Sequence, residues 1–341
     1  MKAFSAFCLL LLAFASTANA SSGRLDIYFI DVEGGAATLI VTPAGESLLI
    51  DSGFPTSRDS GRIVQVARLA GLRQIDHYVA THFHRDHIGG IPMIAKDIPI
   101  KNFYDHGIPA NPGPDISPGI LEMYRQTSRN SSIKLKPGDE IPLRTSTAIP
   151  IHVKVMASNG TVIGEDANAP QIKPCGSDFK PMPEDKSDNA KSVAMLLTFG
   201  EFQFFDGGDL TWNVENKLVC PGNLVGAVDV FQVDHHGSAS SNNPALVRAL
   251  NPRVAVIDNG PRKGAESATF ATLKSVSGIE GIYQLHLNVT TTANDNTSSD
   301  FIANDAEACR GDFIKLSVAA NAKKYSISMP GKKITRSYDV R

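Results

Sequence analysis

The chain of 341 residues is long enough to bury one large hydrophobic core or two smaller ones. A hydrophobic content of 42%, a charged content of 20% and a net charge of −2 are typical of a soluble globular protein. They exclude a surface that is basic overall, so binding of nucleic acid would have to rely on a local groove.

The first 20 residues have the features of a secretory signal peptide. Lys2 gives a positive start, "AFCLLLLAFA" is apolar but too short to span a bilayer, and Ala18-Asn19-Ala20 matches a small-x-small cleavage site. The alternative is a first strand or an anchor. We predict that residues 1–20 are removed and that the mature protein is secreted or periplasmic. No later apolar stretch reaches eighteen residues, so no stable membrane anchor is expected after removal of the signal.

Three cysteines follow the predicted signal, at positions 175, 220 and 309. In an oxidising compartment they allow one disulfide from three possible pairs, with one thiol left over. Their wide spacing is unlike that of a zinc knuckle, which predicts a structural role.

The first part of the mature chain is predicted to alternate strands and helices. Its β-rich runs, bounded by turn residues, are "RLDIYFIDV", "AATLIVT", "SLLIDSG" and "IDHYVAT". An amphipathic helix is predicted in "RDSGRIVQVARLAGL", and another helix begins at "HIGGIPMIAK".

Residues 108 to about 187 are rich in Pro, Ser, Asn and Asp. Within them "GILEMYRQT" is helical in pattern, and "SIKL" and "IHVKVMAS" are strand-like. We predict a surface insertion, a kind of segment that often contacts substrate.

The second half is again built of strands and helices. Its predicted elements are a hairpin in "SVAMLLTFGEFQFFDGGDL", a strand in "AVDVFQVDHHGS", a helix and a strand in "NPALVRALNPRVAVIDNG", and a closing hairpin in "FIKLSVAANAKKYSISM". Two sets of strands with interleaved helices predict a layered α/β sandwich.

The segment "THFHRDHIGG" contains a dense set of potential metal ligands. His82 and His84 lie two apart at a strand end and point to one side, while Asp86 and His87 follow at the start of a helix. Imidazole and carboxylate ligands suit zinc, manganese or iron, and the absence of thiols argues against a closed structural site. The alternative is a polar loop of unrelated histidines.

Other strand ends carry similar side chains. Asp209 follows "FFDGG" and is either a ligand or the cap of the next helix. His235 and His236 end the strand "VFQVDHH", where paired histidines suggest ligands. Asp51 ends "SLLID" and is predicted to orient the ligand histidines through hydrogen bonds, with a plain turn as the alternative.

These motifs carry a resemblance to a known family. "HFHRDHIGG" matches the H-x-H-x-D-H signature of the metallo-β-lactamase superfamily, and "LLIDSG", "DGGDL" and "VDHHGS" resemble its other metal-site motifs in the right order. Residues 24 to 290 further resemble the soluble hydrolase domain of the ComEC DNA-uptake proteins and its free-standing secreted relatives. The resemblance implies a four-layer αββα sandwich, here over residues 24–330, with the site at the edge between the two sheets.

The resemblance also implies a second cation held by Asp86, His87 and His235, with Asp209 bridging to the first. His235 is preferred to His236 on the alignment of the motif. In that arrangement Asp86 and Asp209 orient the attacking water. His236 is then free to stabilise charge or to protonate the leaving group.

The first cation is expected to bind His82, His84 and a third group, and here the sequence departs from the superfamily. The usual third histidine stands about four residues before a serine, but Asp188 occupies that position before Ser192. The carboxylate of Asp188 or the amide of Asn189 is the candidate replacement, and a loop cap is the alternative for Asp188. We expect one or two Zn²⁺ ions, or a harder cation such as Mn²⁺.

Two further histidines lie near predicted strand ends. His106 in "YDHGIP" and His286 in "YQLHLN" are candidates for contact with the pocket or substrate, with buried structural histidines as the alternative.

The predicted chemistry is hydrolysis by a metal-activated water. Metal binding lowers the pKa of water from 15.7 to about 7, so a hydroxide nucleophile is present at neutral pH. The ComEC resemblance implies phosphodiester bonds, in a small-molecule or nucleic-acid substrate. The first alternative is an acyl hydrolase acting on a β-lactam, lactone or ester. The second is a binding protein on a hydrolase scaffold that has lost activity. The natural substrate and the oligomeric state stay open.

Overall fold

The computed structural model describes residues 23–144, 148–165 and 179–341. The predicted signal peptide and Cys175 lie outside the described residues. Of the other two cysteines, Cys220 is disulfide-bonded and Cys309 is a free thiol. Among the described residues, no helix is both long enough and apolar enough to cross a bilayer.

The first sheet has nine strands. In spatial order they are β17 (Ile334–Asp339), β16 (Lys324–Met329), β15 (Ile314–Val318), β1 (Leu25–Phe29), β2 (Thr38–Val41), β3 (Ser47–Ile50), β4 (Ile75–Val79), β5 (Ile100–Asp105) and β6 (Ile133–Lys134). The run from β3 to β6 is parallel, and the remaining neighbours are antiparallel.

The second sheet has eight strands. In spatial order they are β14 (Ile302–Asn304), β13 (Gly281–His286), β12 (Val254–Ile257), β11 (Val230–Gln232), β10 (Phe202–Asp206), β9 (Ala194–Phe199), β7 (Ile151–Ser158) and β8 (Thr161–Val162). The strands from β10 to β14 are parallel, whereas β10, β9, β7 and β8 form an antiparallel meander.

Seven α-helices cover the sheets within the described part of the chain. They are α1 (Ser57–Leu69), α2 (Arg85–Ile88), α3 (Ile91–Asp97), α4 (Pro118–Thr127), α5 (Trp212–Val219), α6 (Pro244–Leu250) and α7 (Ser267–Lys274). Local capping sets two of the starts: the side chains of Thr56 and Asn243 accept hydrogen bonds from the N–H groups of Asp59 and Leu246. Pro244 at the first turn of α6 is also favourable, because its missing N–H has no partner there.

Three hydrophobic clusters define the layers. One lies between the sheets and includes Phe29, Phe204 and Leu316. A second packs the outer face of the first sheet against α1, α3 and α4, and a third packs the outer face of the second sheet against α5, α6 and α7. The order is therefore helices, sheet, sheet, helices, and the predicted αββα sandwich is confirmed.

The segment 108–187 is only partly a surface connection. Its "IHVKVMAS" portion forms β7, which pairs with β9 inside the second sheet. Ile151, Val153 and Val155 alternate with polar residues and place one face of the strand in the core between the sheets. This strand is buried because its apolar residues recur at every second position, even though the segments on either side of it are polar.

The parallel strands explain where the polar side chains meet. Asp51 and His82 follow the carboxyl ends of β3 and β4 in the first sheet, and Asp209 and His235 follow those of β10 and β11 in the second. Because parallel strands end at the same edge, all four arrive at one edge of the sandwich.

Candidate metal centre

Asp51 organises the turn that carries the first histidines. Its carboxylate accepts hydrogen bonds from the backbone N–H of Thr81, at 2.8 Å, and from the hydroxyl of Thr81, at 2.7 Å. The backbone of Asp51 has a left-handed φ of 58°, which turns the chain sharply after β3. This conformation is uncommon for residues other than Gly, Asn and Asp.

Asp51 also lies directly behind His87. Nδ1 of His87 stands 2.7 Å from Oδ2 of Asp51, and both side chains are buried. A carboxylate on Nδ1 holds the proton there and leaves Nε2 facing the cluster, which is how proteins orient metal-binding imidazoles. The role of Asp51 as an orienting residue stays a prediction, with this contact as its basis.

Asp209 is the centre of the cluster. Its Oδ2 lies 3.2 Å from Nε2 of His87, 3.5 Å from that of His235, 3.6 Å from that of His236 and 3.8 Å from that of His82. Its own backbone N–H donates to the hydroxyl of Ser192, which lies just before β9. One carboxylate therefore stands within 4 Å of four imidazoles, as a bridging position requires.

Asp86 completes a second group on the other side of His87. Its Oδ2 lies 3.8 Å from Nε2 of His87 and 3.6 Å from Nε2 of His236. Ligand atoms of Asp86, His87 and His236 all lie within 4.8 Å of one another, and so do those of His82, His87 and Asp209. The structure thus brings His236 to Asp86, in place of His235, which the sequence favoured.

The reason lies in the backbone after β11. His235 and His236 both have φ of 54°, and Gly237 follows with φ of 82°. Three successive left-handed residues turn the chain so that a strand's alternation no longer decides which histidine points inward. Gly237 is required here, because a Cβ would meet the backbone N of Ala265 at 2.9 Å. Left-handed conformations at non-glycine residues cost about 1–3 kcal/mol each and cluster at functional sites.

His235 lies at the rim of the cluster, with 18% of its side chain exposed. Its Nδ1 contacts the hydroxyls of Ser240 and Ser241 at 3.2 and 3.1 Å. Its Nε2 lies 3.3 Å from the amide Nδ2 of Asn189. Asn189 thus reaches the site through His235, and its buried Oδ1 has no hydrogen-bond partner in the structure.

His84 stands next to His82 but is engaged with another residue. The two imidazole rings have centroids 4.6 Å apart, while Nε2 of His84 lies 2.9 Å from Oδ2 of Asp115. Asp115 also accepts a hydrogen bond from the N–H of Asp188 at 2.7 Å. Asp115 is not predictable from the sequence, because a single Asp in a proline-rich loop carries no signal of its own.

Asp188 supports the histidine turn from outside. Its Oδ2 accepts the backbone N–H of Phe83 at 2.8 Å and lies 3.1 Å from Nε2 of His106, while Lys191 donates to its Oδ1. Asp188 belongs to neither of the two groups with convergent ligand atoms. These contacts favour a positioning role for Asp188 over direct binding of a cation. His106 is its imidazole partner.

His286 is not part of this cluster. Its Nε2 lies 2.8 Å from Oδ1 of Asp31, at the ends of β13 and β1. Lys263, which the sequence analysis also missed, does reach the cluster and forms an ion pair with Asp86. Its only sequence signal is a lysine in a glycine-containing loop.

The charges of the cluster are strongly coupled. Although burial opposes ionisation, His87 and the other imidazoles hold the pKa values of Asp86 and Asp209 well below the usual range. Burial also disfavours a charge on His87, but Asp209, Asp51 and Asp86 raise its pKa to about 10. The buried carboxylates of Asp86 and Asp209 therefore remain negatively charged and are stabilised by positive charge nearby.

The donor set fits divalent cations. His82 is fully buried, and its Nδ1 lies 3.1 Å from the hydroxyl of Thr81. Its Nε2 faces Asp209 and has no hydrogen-bond partner among the described residues. A buried polar atom without a partner is costly unless something binds it. Imidazole and carboxylate ligands with no thiol among them suit zinc or manganese.

Comparison with known proteins supports the family resemblance. Residues 30–166 match the model of the metallo-beta-lactamase superfamily. The match confirms the resemblance to the metallo-β-lactamase superfamily over this part of the chain. Its fold generally binds divalent cations, and the two groups around His87 are the candidate sites in this metallo-β-lactamase-fold chain.

The chain is similar to several individual proteins. The chain is 22% identical to ComE operon protein 3 of Bacillus subtilis over 269 residues, 74% of this chain and 30% of that protein, which confirms the resemblance to ComEC proteins. It is 32% identical to a UPF0173 metal-dependent hydrolase of Cupriavidus metallidurans over 93 residues, 26% of this chain and 29% of that protein. The metallo-beta-lactamase fold protein YhfI of Bacillus subtilis superposes with a TM-score of 0.47 and 14% identity, covering 76% of this chain and 95% of that one. The chain spans less than a third of the length of these two curated relatives.

Proposed function

We propose that this chain is a metal-dependent hydrolase that cleaves phosphodiester bonds with a metal-activated water. The observation that carries the proposal is the convergence of His82, His87 and His236 on Asp209 and Asp86 at the edge between the sheets. Zn²⁺ is the expected cation because imidazole ligands predominate, and Mn²⁺ is the alternative.

Bound cations would supply a water of lowered pKa and polarise the bond under attack. The ligands that would hold them are His82, His87 and Asp209 on one side, and Asp86, His87 and His236 on the other. Asp209, between the two groups, is placed to orient the attacking water. His235 lies at the rim, where its Nε2 accepts a hydrogen bond from Nδ2 of Asn189, and it would act there as an acid–base residue toward the substrate.

The charge near the site supports an anionic substrate. Lys263 lies beside Asp86 with 42% of its side chain exposed, and its Nζ stands 5.6 Å from the centroid of the Phe54 ring. The guanidinium of Arg85 lies 5.9 Å from the same ring. Two cationic side chains beside Phe54, near Asp86 of the metal centre, favour a phosphodiester over a neutral lactone or ester.

A groove next to His235 offers room for the rest of a diester. It has a volume of about 230 Å³ and is lined by Met182, Trp212 and Ser240, among others. Ser240 connects it to the cluster through its contact with Nδ1 of His235. Met182 belongs to the segment predicted to contact substrate, and an apolar wall with an indole suits the flat organic group of a nucleotide or aryl ester.

We further propose that the chain is exported, on the support of the signal-like residues 1–20. Expression in bacteria, fractionation and intact-mass measurement test this. A periplasmic product that begins at Ser21 is expected, and a cytoplasmic product that retains Met1 contradicts export.

A substrate panel tests the hydrolase proposal. Purified protein loaded with Zn²⁺ or Mn²⁺ is assayed on a chromogenic phosphodiester beside a lactone and a β-lactam. His87→Ala is the inactive control. The matched control is His152→Ala, since His152 is an exposed histidine on β7 that contacts Glu140 and lies in neither of the two groups of the metal centre.

Phosphodiester turnover that His87→Ala abolishes and His152→Ala preserves is the expected result. Turnover of the lactone or the β-lactam alone would support the acyl hydrolase instead. No turnover of any substrate by protein with bound metal would favour the binding protein and contradict the proposal.

A further inference from the structure

A second set of potential ligands lies outside the metal centre. Nε2 of His286 is 2.8 Å from Oδ1 of Asp31, and Sγ of Cys309 is 3.3 Å from Oδ2 of Asp31 and 3.7 Å from Nε2 of His286. One ligand atom from each residue lies within 4.8 Å of the others. The three donors are a carboxylate oxygen, an imidazole nitrogen and a thiol sulfur.

The cluster joins distant parts of the chain. Asp31 follows β1 in the first sheet, His286 ends β13 in the second, and Cys309 lies in the connection from β14 to β15. The side chains of Asp31 and His286 are fully buried, whereas Cys309 is half-buried. A cation from solvent can therefore reach the cluster from the Cys309 side.

Arg62 contacts two of the three donors, the carboxylate of Asp31 and, through Nη2 at 3.6 Å, Sγ of Cys309. Nη1 of Arg62, on α1, donates to Oδ2 of Asp31 at 2.8 Å and to its backbone oxygen at 3.2 Å. Glu33 balances this charge, with Oε1 at 3.2 Å from Nη2 of Arg62. An outer partner that orients a ligand carboxylate is a common feature of metal sites.

The spacing of the donors suits a tetrahedral cation. Zinc binds nitrogen and oxygen at about 2.0–2.1 Å and sulfur at about 2.3 Å, which places neighbouring ligand atoms about 3.3–3.6 Å apart. The two separations that involve Sγ, 3.3 and 3.7 Å, lie close to that range, and the 2.8 Å contact of His286 with Asp31 would lengthen by about 0.5 Å on binding. A thiol in the set selects zinc or another borderline metal over magnesium or calcium.

We propose that Asp31, His286 and Cys309 form a separate zinc site, with solvent at the fourth position. The site would tie the connection between β14 and β15 to the ends of β1 and β13. It rests on neither the proposed reaction nor the ligands of the His82 centre. The alternative is a metal-free network in which Arg62, Asp31 and His286 satisfy one another.

Cobalt binding tests the proposal, because cobalt bound to a thiolate gives a charge-transfer absorption in the near ultraviolet. The convergent groups of the His82 centre contain imidazoles and carboxylates only, so they do not contribute to this band. Metal-free wild-type protein, Cys309→Ser and His87→Ala are titrated with Co²⁺ under argon. The wild type is expected to develop the band, and Cys309→Ser is expected to lose it.

His87→Ala separates the two sites. This variant is expected to lose hydrolysis and to keep the thiolate band, because His87 is not a ligand of the Cys309 site. The band therefore tests the zinc site whether or not the proposed hydrolase activity is found. A wild-type protein without the band, or a band that persists in Cys309→Ser, would overturn the zinc site.

Protection of the thiol is the second measurement, and it needs no variant. Zinc added to metal-free wild type is expected to slow the alkylation of Cys309, followed by peptide mass spectrometry, and a chelator is expected to restore the rate. An alkylation rate that zinc leaves unchanged would also contradict the proposal.

Discussion

Nε2 of His87 lies 3.2 Å from Nε2 of His236, although the two residues are separated by 149 positions and follow strands of different sheets. His87 is shared by both groups of convergent ligands, whereas His236 belongs to only one of them. The position of the second cation therefore depends on which of the paired histidines after β11 faces inward.

Replacement of each paired histidine separates their roles. His236→Ala is expected to lose about one cation per chain, because it removes the imidazole beside Asp86. His235→Ala is expected to keep its cations and to lower kcat by about 100-fold or more, as loss of an acid–base residue does. Metal analysis and kinetics on the same preparations check this. Loss of a cation in His235→Ala, with none lost in His236→Ala, would restore the order that the sequence favoured.

Asp51→Asn tests the orienting contact on His87. Asparagine tolerates the left-handed φ of 58°, so the backbone can keep its conformation. The substitution removes the negative charge of the carboxylate that faces Nδ1 of His87. We expect metal affinity to weaken by about 10–100-fold, measured by competition with a chromophoric chelator. Asp76→Asn is the matched control, because Asp76 is a buried carboxylate of β4 that binds Ser47. Equal affinities in the two variants would contradict an orienting role for Asp51.

Asp188→Asn distinguishes positioning from ligation. The amide can still accept the N–H of Phe83 but loses the negative charge that faces His106 and Lys191. The free energy of unfolding is expected to fall by about 1–3 kcal/mol while the cation content stays unchanged. Denaturant unfolding and metal analysis give the two numbers. A variant of unchanged stability that lacks a cation would make Asp188 a ligand.

Asp206 predicts a pH dependence of stability in metal-free protein. Burial, aided by the charges of Asp51 and Asp258, raises the pKa of Asp206 to about 7. The folded state therefore keeps a proton that the unfolded state releases near pH 4. The contribution of Asp206 is fully present below about pH 4, declines as the pH rises to about 7 and is constant above.

Asp206→Asn removes this titration. The amide can still accept the N–H of Gly208, which donates to Oδ1 at 2.9 Å in the wild type. We expect the variant to gain stability relative to the wild type as the pH rises from about 4 to about 7, measured by denaturant unfolding with a chelator present. Parallel stability curves would show that Asp206 does not titrate in that range.

The layers of the fold follow from local patterns in the sequence. Short apolar runs bounded by turn residues predicted the strands, and the cluster in "THFHRDHIGG" marked the sheet edge where the donors meet. The strand "IHVKVMAS" was grouped with a surface insertion because its neighbours are polar. Its pairing with β9 is a long-range contact that composition does not reveal.

The details of the site depend on backbone conformations that a sequence pattern does not encode. Strand alternation gives no guidance for His235 and His236, because both residues are left-handed. The partner of His84 is Asp115, from a proline-rich loop whose path is set by tertiary packing. His286 was expected near the pocket because it ends a strand, yet β13 delivers it to Asp31 instead.

Metal analysis of protein purified without chelators tests the central proposition most directly. Wild type is compared with the triple variant His82→Ala, His87→Ala, His236→Ala, and each preparation is also assayed on the chromogenic phosphodiester. We predict that the wild type holds about two cations per chain more than the variant and that only the wild type turns over the diester. Equal metal contents in two folded proteins would contradict the metal centre.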